Sequence, residues 1–167
     1  MRRVLKFLIV LVSLLLTVTT FAQQSKLPTF EDYRVTHKFN GTPAAAVITA
    51  RRARMFRTMI RTQAKEGPNF AGHYTVAVWG CGSGCRQFAI VDAVTGKVYF
   101  HPDAVTVLSP PYVDEDNLQF RVDSGLLVIA GAFEDAKGNP TEGKFFYEWR
   151  NNRFKLIRKT KMELPRE

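Results

Sequence analysis

The chain reads as α+β: one long N-terminal amphipathic helix packed on a curved antiparallel β-meander of about seven strands. Three observations predict this. Residues 43–65 hold a single Pro, at their first position, and no Gly, and their apolar side chains recur at helical spacing. From His73 onward apolar residues alternate with period two. Short turns rich in Gly, Asn and Asp separate the alternating runs, which favours strands pairing with their sequence neighbours.

Residues 1–22 stand apart from the domain. Arg2, Arg3 and Lys6 form a basic start, Phe7 to Val18 is apolar, and Thr20 and Ala22 are small residues before a cut ahead of Gln23. This is the pattern of a secretory signal peptide. No Cys lies near the cut, which argues against a lipid anchor. The whole chain has 167 residues and a formal charge of +9; losing 22 residues, three of them basic, leaves 145 residues at +6. The expected location is the periplasm or the exterior, where disulfides persist. After residue 22 no apolar run reaches the roughly 18–20 residues that a membrane helix needs.

Residues 23–42 are expected to be an extended entry segment. Residues 43–160 form the single domain, and 161–167 a polar tail. Thr42-Pro43 reads as a helix start and Gly67-Pro68 as its stop. Val47, Ile48, Met55, Phe56, Met59 and Ile60 fall on one face, with Arg54, Arg57 and Arg61 opposite. Arg51 and Arg52 lie inside the apolar stripe. Strands are expected at His73–Gly80, Arg86–Ala93, Lys97–Phe100, Asn117–Val122, Leu126–Ala132, Lys144–Arg150 and Arg153–Lys159. The run Leu126–Ala132 is apolar throughout, as a strand buried on both faces would be. Asn151-Asn152 tolerates positive φ and suits a tight hairpin. Pro102, Pro110 and Pro111 break the stretch after residue 101, and residues 135–143 read as a loop.

The block Gly67-Pro68-Asn69-Phe70-Ala71-Gly72-His73-Tyr74, then Trp79-Gly80-Cys81-Gly82-Ser83-Gly84-Cys85, Asp92 and Thr95-Gly96-Lys97-Val98-Tyr99, resembles a group of uncharacterised secreted or periplasmic bacterial proteins. The resemblance implies export and a disulfide-compatible hairpin. It implies no activity and brings no catalytic residues.

Cys81 and Cys85 flank a Gly-Ser-Gly turn, so their Cα atoms should oppose each other at about 4.5–5.5 Å, within disulfide range. Three other roles are weighed against a structural bridge. A redox pair lacks C-x-x-C spacing and a thioredoxin-like βαβ pattern. A metal site needs further ligands, for which His73 and His101 are the candidates. A Cys nucleophile needs a His base, and His73 lies about 26 Å away along an extended strand. His73, beside Asn69, Phe70 and Tyr74, suggests a polar cluster at the helix-to-strand junction. The acidic loop Asp114-Glu115-Asp116-Asn117 lacks calcium-loop spacing.

The basic helix is the main functional lead. Arg51, Arg52, Arg54, Arg57, Arg61 and Lys65 place six cations in fifteen residues, with no acid from Pro43 to Lys65. Like charges three or four apart, such as Arg54–Arg57 and Arg57–Arg61, cost a few tenths of a kcal/mol each. An anionic partner would offset that cost. The expected function is therefore an exported binding module for an unknown protein or anionic envelope component. Candidate contacts are Asn69, His73, Trp79, Arg54, Arg57 and Arg61, beside a hairpin tip closed by Cys81–Cys85. Nucleic acid is disfavoured by export, and no cofactor motif is present. The alternative is a small envelope hydrolase using His73 with a thiol or carboxylate.

Overall fold

The computed structural model describes residues 26–82, 84–108, 117–134 and 140–162. Residues 1–25, with the expected signal peptide, the acids at 114–116 and residues 163–167 lie outside the described residues. Eight strands pair antiparallel in one sheet: β1 (Tyr74–Gly80), β2 (Cys85–Asp92), β3 (Val98–Tyr99), β4 (Ala104–Leu108), β5 (Leu118–Arg121), β6 (Ser124–Glu134), β7 (Pro140–Arg150) and β8 (Arg153–Thr160). Their order is β1-β2-β4-β6-β7-β8, with β3 also on β2 and β5 also on β6. β4 thus joins a three-stranded part to a four-stranded part. Its pairing with β2 is brief: Cys85 faces Leu108 and Arg86 faces Val107.

The sheet curls until its two ends touch. Phe88 of β2 meets Phe154 of β8 with ring centroids 6.2 Å apart. Tyr74 Oη donates to Asn152 Oδ1 at 2.7 Å. Alternation along each strand then sorts side chains into layers. Val76, Ile90, Leu127, Ile129, Phe145 and Trp149 fill the interior of the curl with Phe70. The opposite faces of β1 and β2, carrying Ala77, Trp79, Ala89 and Val91, are covered by a helical segment. Leu126, Val128 and Phe146 on the far side are covered by Phe30 and Tyr33 from a 3₁₀ turn at Phe30–Tyr33. That turn interrupts the entry segment, which was expected to be extended throughout.

The expected long helix is not formed by residues 43–65, and the described residues form eight strands where about seven were expected. Residues 43–50 are not helical. Ala44 N–H donates to the Ala93 carbonyl and Val47 N–H to the Gly96 carbonyl, both at 2.8 Å, and Val47 bridges Lys97 in parallel. These tertiary bonds override the helix signal of Thr42-Pro43. Helix begins only at α1 (Arg51–Met55), breaks at Phe56 (φ −111°, ψ 19°), and resumes as α2 (Arg57–Ala64). Its inward face differs in part: Ile60 is buried and Ile48 and Phe56 pack on the same cluster, as expected. Ala53, Ile60 and Ala64 are buried, whereas Val47, Met55 and Met59 are exposed, Met55 by 70%. The helices lie against Ala77 and Ala89, so small residues meet small residues and the backbones approach closely. The extra strand is β4, which pairs despite Pro102 and Pro110, and β7 begins at Pro140 within the stretch read as loop. Proline is tolerated at the first position of a strand.

Cys81 and Cys85 form a disulfide with Cα atoms 5.4 Å apart, and Cys81 N–H donates to the Cys85 carbonyl at 3.2 Å. Gly82 (φ 125°) and Gly84 (φ 70°) supply the left-handed backbone of the turn. Changing both cysteines to Ser is expected to lower stability by about 2 kcal/mol, as a five-residue loop should. Urea unfolding checks the value. Amide exchange should accelerate at 80–86 and little in β6 or β7.

Candidate functional site

The block from Gly67 to Tyr74 builds the border of the sheet. Gly67 (φ 97°) ends the helical segment, and its carbonyl accepts from Thr75 Oγ1 at 2.8 Å. Asn69 then lies alongside β1. Its Oδ1 accepts from Val76 N–H at 2.7 Å and its Nδ2 donates to the Val76 carbonyl at 3.3 Å. Gln63 on α2 treats Val78 the same way, at 2.8 Å and 2.7 Å. Two side-chain amides therefore stand in for the neighbouring strand that β1 lacks, and they blunt its free edge. Gly72 (φ 82°) lets the chain reverse, and a Cβ there would run into the His37 carbonyl oxygen. Its N–H donates to the Val122 carbonyl at 2.7 Å.

His73 follows directly, its ring centroid 4.0 Å from that of Tyr74. No carboxylate forms an ion pair with it among the described residues. The sulfurs of Cys81 and Cys85 are joined to each other, so neither offers a thiolate for attack or for metal binding. Among the described residues no three His, Cys, Asp or Glu side chains converge. Trp79 is buried between layers, stacked on Phe56 at 4.6 Å and edge-on to Phe100 at 6.4 Å. It ties the helical segment to the strand that leads into the disulfide tip. Asn69 and His73 share the junction that leads into β1, and no contact joins either of them to the arginines among the described residues.

The arginines line α1 and α2. Arg51, Arg54, Arg57, Arg61 and Lys65 are exposed, and none has a carboxylate partner among the described residues. Arg54 turns back to donate to the Thr49 carbonyl. Arg52 differs: it is half-buried, with its guanidinium 4.8 Å from the centre of the Phe100 ring. Burial lowers its pKa, though an arginine so placed stays charged. Three described cations elsewhere, Arg121, Arg150 and Lys155, do reach carboxylates. Arg121 binds Glu31 at 2.9 Å and Asp123 at 2.8 Å, and Lys155 binds Glu148 at 3.3 Å.

His101, named above only as a possible metal ligand, is a strongly perturbed titratable group. It is buried among Phe133, Tyr147 and Phe154, with ring centroids 5.2, 5.0 and 4.8 Å away. Its Nδ1 accepts from Asp103 N–H at 3.2 Å, so the neutral ring carries its proton on Nε2. Desolvation lowers its pKa to about 4. The aromatic residues that surround it are far apart in sequence, so only the alternating Phe and Tyr of β7 hinted at this setting.

No helix among the described residues is long and apolar enough to cross a membrane. Compared with known proteins, the chain matches no family model, no curated protein and no solved structure. The chemistry must be read from its own residues. The disulfide is compatible with export, and the most distinctive surface is the cationic face of α1 and α2.

Proposed function

We propose that the protein is an exported binding module that engages an anionic partner through the outward face of α1 and α2. One observation carries this reading. Five cations, Arg51, Arg54, Arg57, Arg61 and Lys65, crowd one exposed segment without a carboxylate in ion-pair contact among the described residues. Repulsion among them costs some stability, and an anionic surface would reverse its sign. The segment is well anchored for such a role. Ile60 and Ala64 are buried, Phe56 stacks on Trp79, and Gln63 is bonded to Val78. Binding would therefore meet a surface already in place, with little ordering cost. Asn69 and His73 enter this reading only as supports of the border on which α2 rests.

The test is capture from envelope extract by wild type and by Arg54→Gln/Arg57→Gln/Arg61→Gln. Wild type is expected to recover its partner at low salt and lose it at high salt, since exposed charges are screened within about 10 Å at 0.1 M. The triple variant should recover little at either salt while keeping its melting temperature. Equal recovery by both proteins would refute the electrostatic reading.

A further inference from the structure

We infer that the anionic partner is a lipid surface, a bilayer rich in acidic phospholipid headgroups; this rests on the binding role of the α1–α2 face. The deciding observation is what the cations share their surface with. Six large apolar residues are notably exposed among those described, and four of them belong here: Val47 at 47%, Met55 at 70%, Met59 at 43% and Val94 at 56%. Val94 comes from the turn that binds the segment before α1, through Ala93 to Ala44 and Gly96 to Val47. The helices could have turned Met55 and Met59 inward. Instead, Ala53, Ile60 and Ala64 fill that place.

Along the chain the two kinds of side chain interleave: Val47, Arg51, Arg54, Met55, Arg57, Met59, Arg61, Lys65. A headgroup region accepts both at once. Guanidinium groups pair with phosphate oxygens, while methionine and valine side chains reach the acyl boundary, as in helices that lie in a membrane interface. A polyanionic glycan would satisfy the arginines and leave the methionines in water. A protein interface gathers its apolar residues into a dry centre with charges at the rim, and four exposed apolar side chains beside five exposed cations are few for such a centre.

Sedimentation with vesicles tests the inference. The full chain and the chain beginning at Gln23 are compared, so that the apolar residues 7–18 cannot account for binding. Both should bind vesicles of mixed phosphatidylglycerol and phosphatidylcholine and bind pure phosphatidylcholine far more weakly. At about 1 kcal/mol per cation near an acidic surface, Arg54→Gln/Arg57→Gln/Arg61→Gln should weaken binding on the order of a hundredfold. Met55→Ser/Met59→Ser should weaken it roughly tenfold and leave retention on a sulfated polysaccharide column unchanged. A circular dichroism melt confirms that each variant folds. Equal binding to neutral vesicles, or methionine variants that bind like wild type, would overturn the lipid assignment. Arginine-dependent retention on the polysaccharide without vesicle binding would also overturn it, leaving the cationic face as a binding surface. Binding to neither would defeat both.

Discussion

Lowering the pH from 7 to 4 is expected to remove about 3 kcal/mol of folding stability through His101 alone. The folded-state pKa is about 4, and an unfolded histidine titrates near 6.5. Between those values the unfolded chain takes up a proton that the folded chain refuses. Stability is therefore unaffected by this group above about 6.5, falls as the pH drops, and stops falling below about 4. The cause is mainly desolvation within the ring formed by Phe133, Tyr147 and Phe154. Asp103, 3.8 Å from Nδ1, opposes the shift, and the positive charge of Arg52 on α1 adds to it. Tyr147 stays neutral because burial raises its own pKa. Denaturant titrations of wild type and His101→Phe at pH 7, 5.5 and 4 check this. Wild type should lose about 3 kcal/mol relative to the variant over that range; parallel pH profiles would contradict it.

Asn69→Ala should cost about 3 kcal/mol, because it strips partners from both the N–H and the carbonyl of Val76, each a partly buried backbone group. For a domain of this size that corresponds to a melting temperature lower by roughly 5–10 °C. A second effect separates this explanation from simple loss of packing. With the amide gone, β1 presents an open edge, and the variant should self-associate at concentrations where wild type is monodisperse. Asn69→Asp keeps the acceptor for Val76 N–H but sets a carboxylate against the Val76 carbonyl, so its stability should be similarly reduced. Gln63→Ala should reproduce the loss at Val78. Light scattering alongside thermal melts distinguishes the outcomes; a stable, monodisperse Asn69→Ala protein would contradict the edge-capping role.

The strands were legible because their signal is local. Tyr74 and Val76 do point to one layer and Ala77 and Trp79 to the other, and Asn151 and Asn152 both take positive φ at the β7–β8 turn. The opposition of Cys81 and Cys85 followed from the length of the turn. The helix was misread because its limits are set by tertiary bonds. Ala44 and Val47 find partners in the 93–97 turn, which nothing near them in sequence announces. Ile48, Phe56 and Ile60 were placed inward rightly, and Met55 and Met59 wrongly, because size was taken for burial. The methionines are larger and more apolar than Ala53 and Ala64, yet it is these alanines, with Ile60, that join Ala77 and Ala89 in the core. Asn69 was read as a candidate contact, and its side chain is bonded to β1. The setting of His101 depends on β7 and β8 closing over it, a long-range event. The clustering of arginines was plain in the sequence; their lack of acidic partners required the fold.

The α1–α2 face is proposed as the place where this protein meets its partner. Amide chemical-shift changes during titration with acidic phospholipid assemblies address it most directly. The changes should centre on residues 51–65 and the adjoining 44–47 and 93–97 segments, and should fade with added salt. Changes confined to the 80–86 tip, or spread evenly over the sheet, would contradict it.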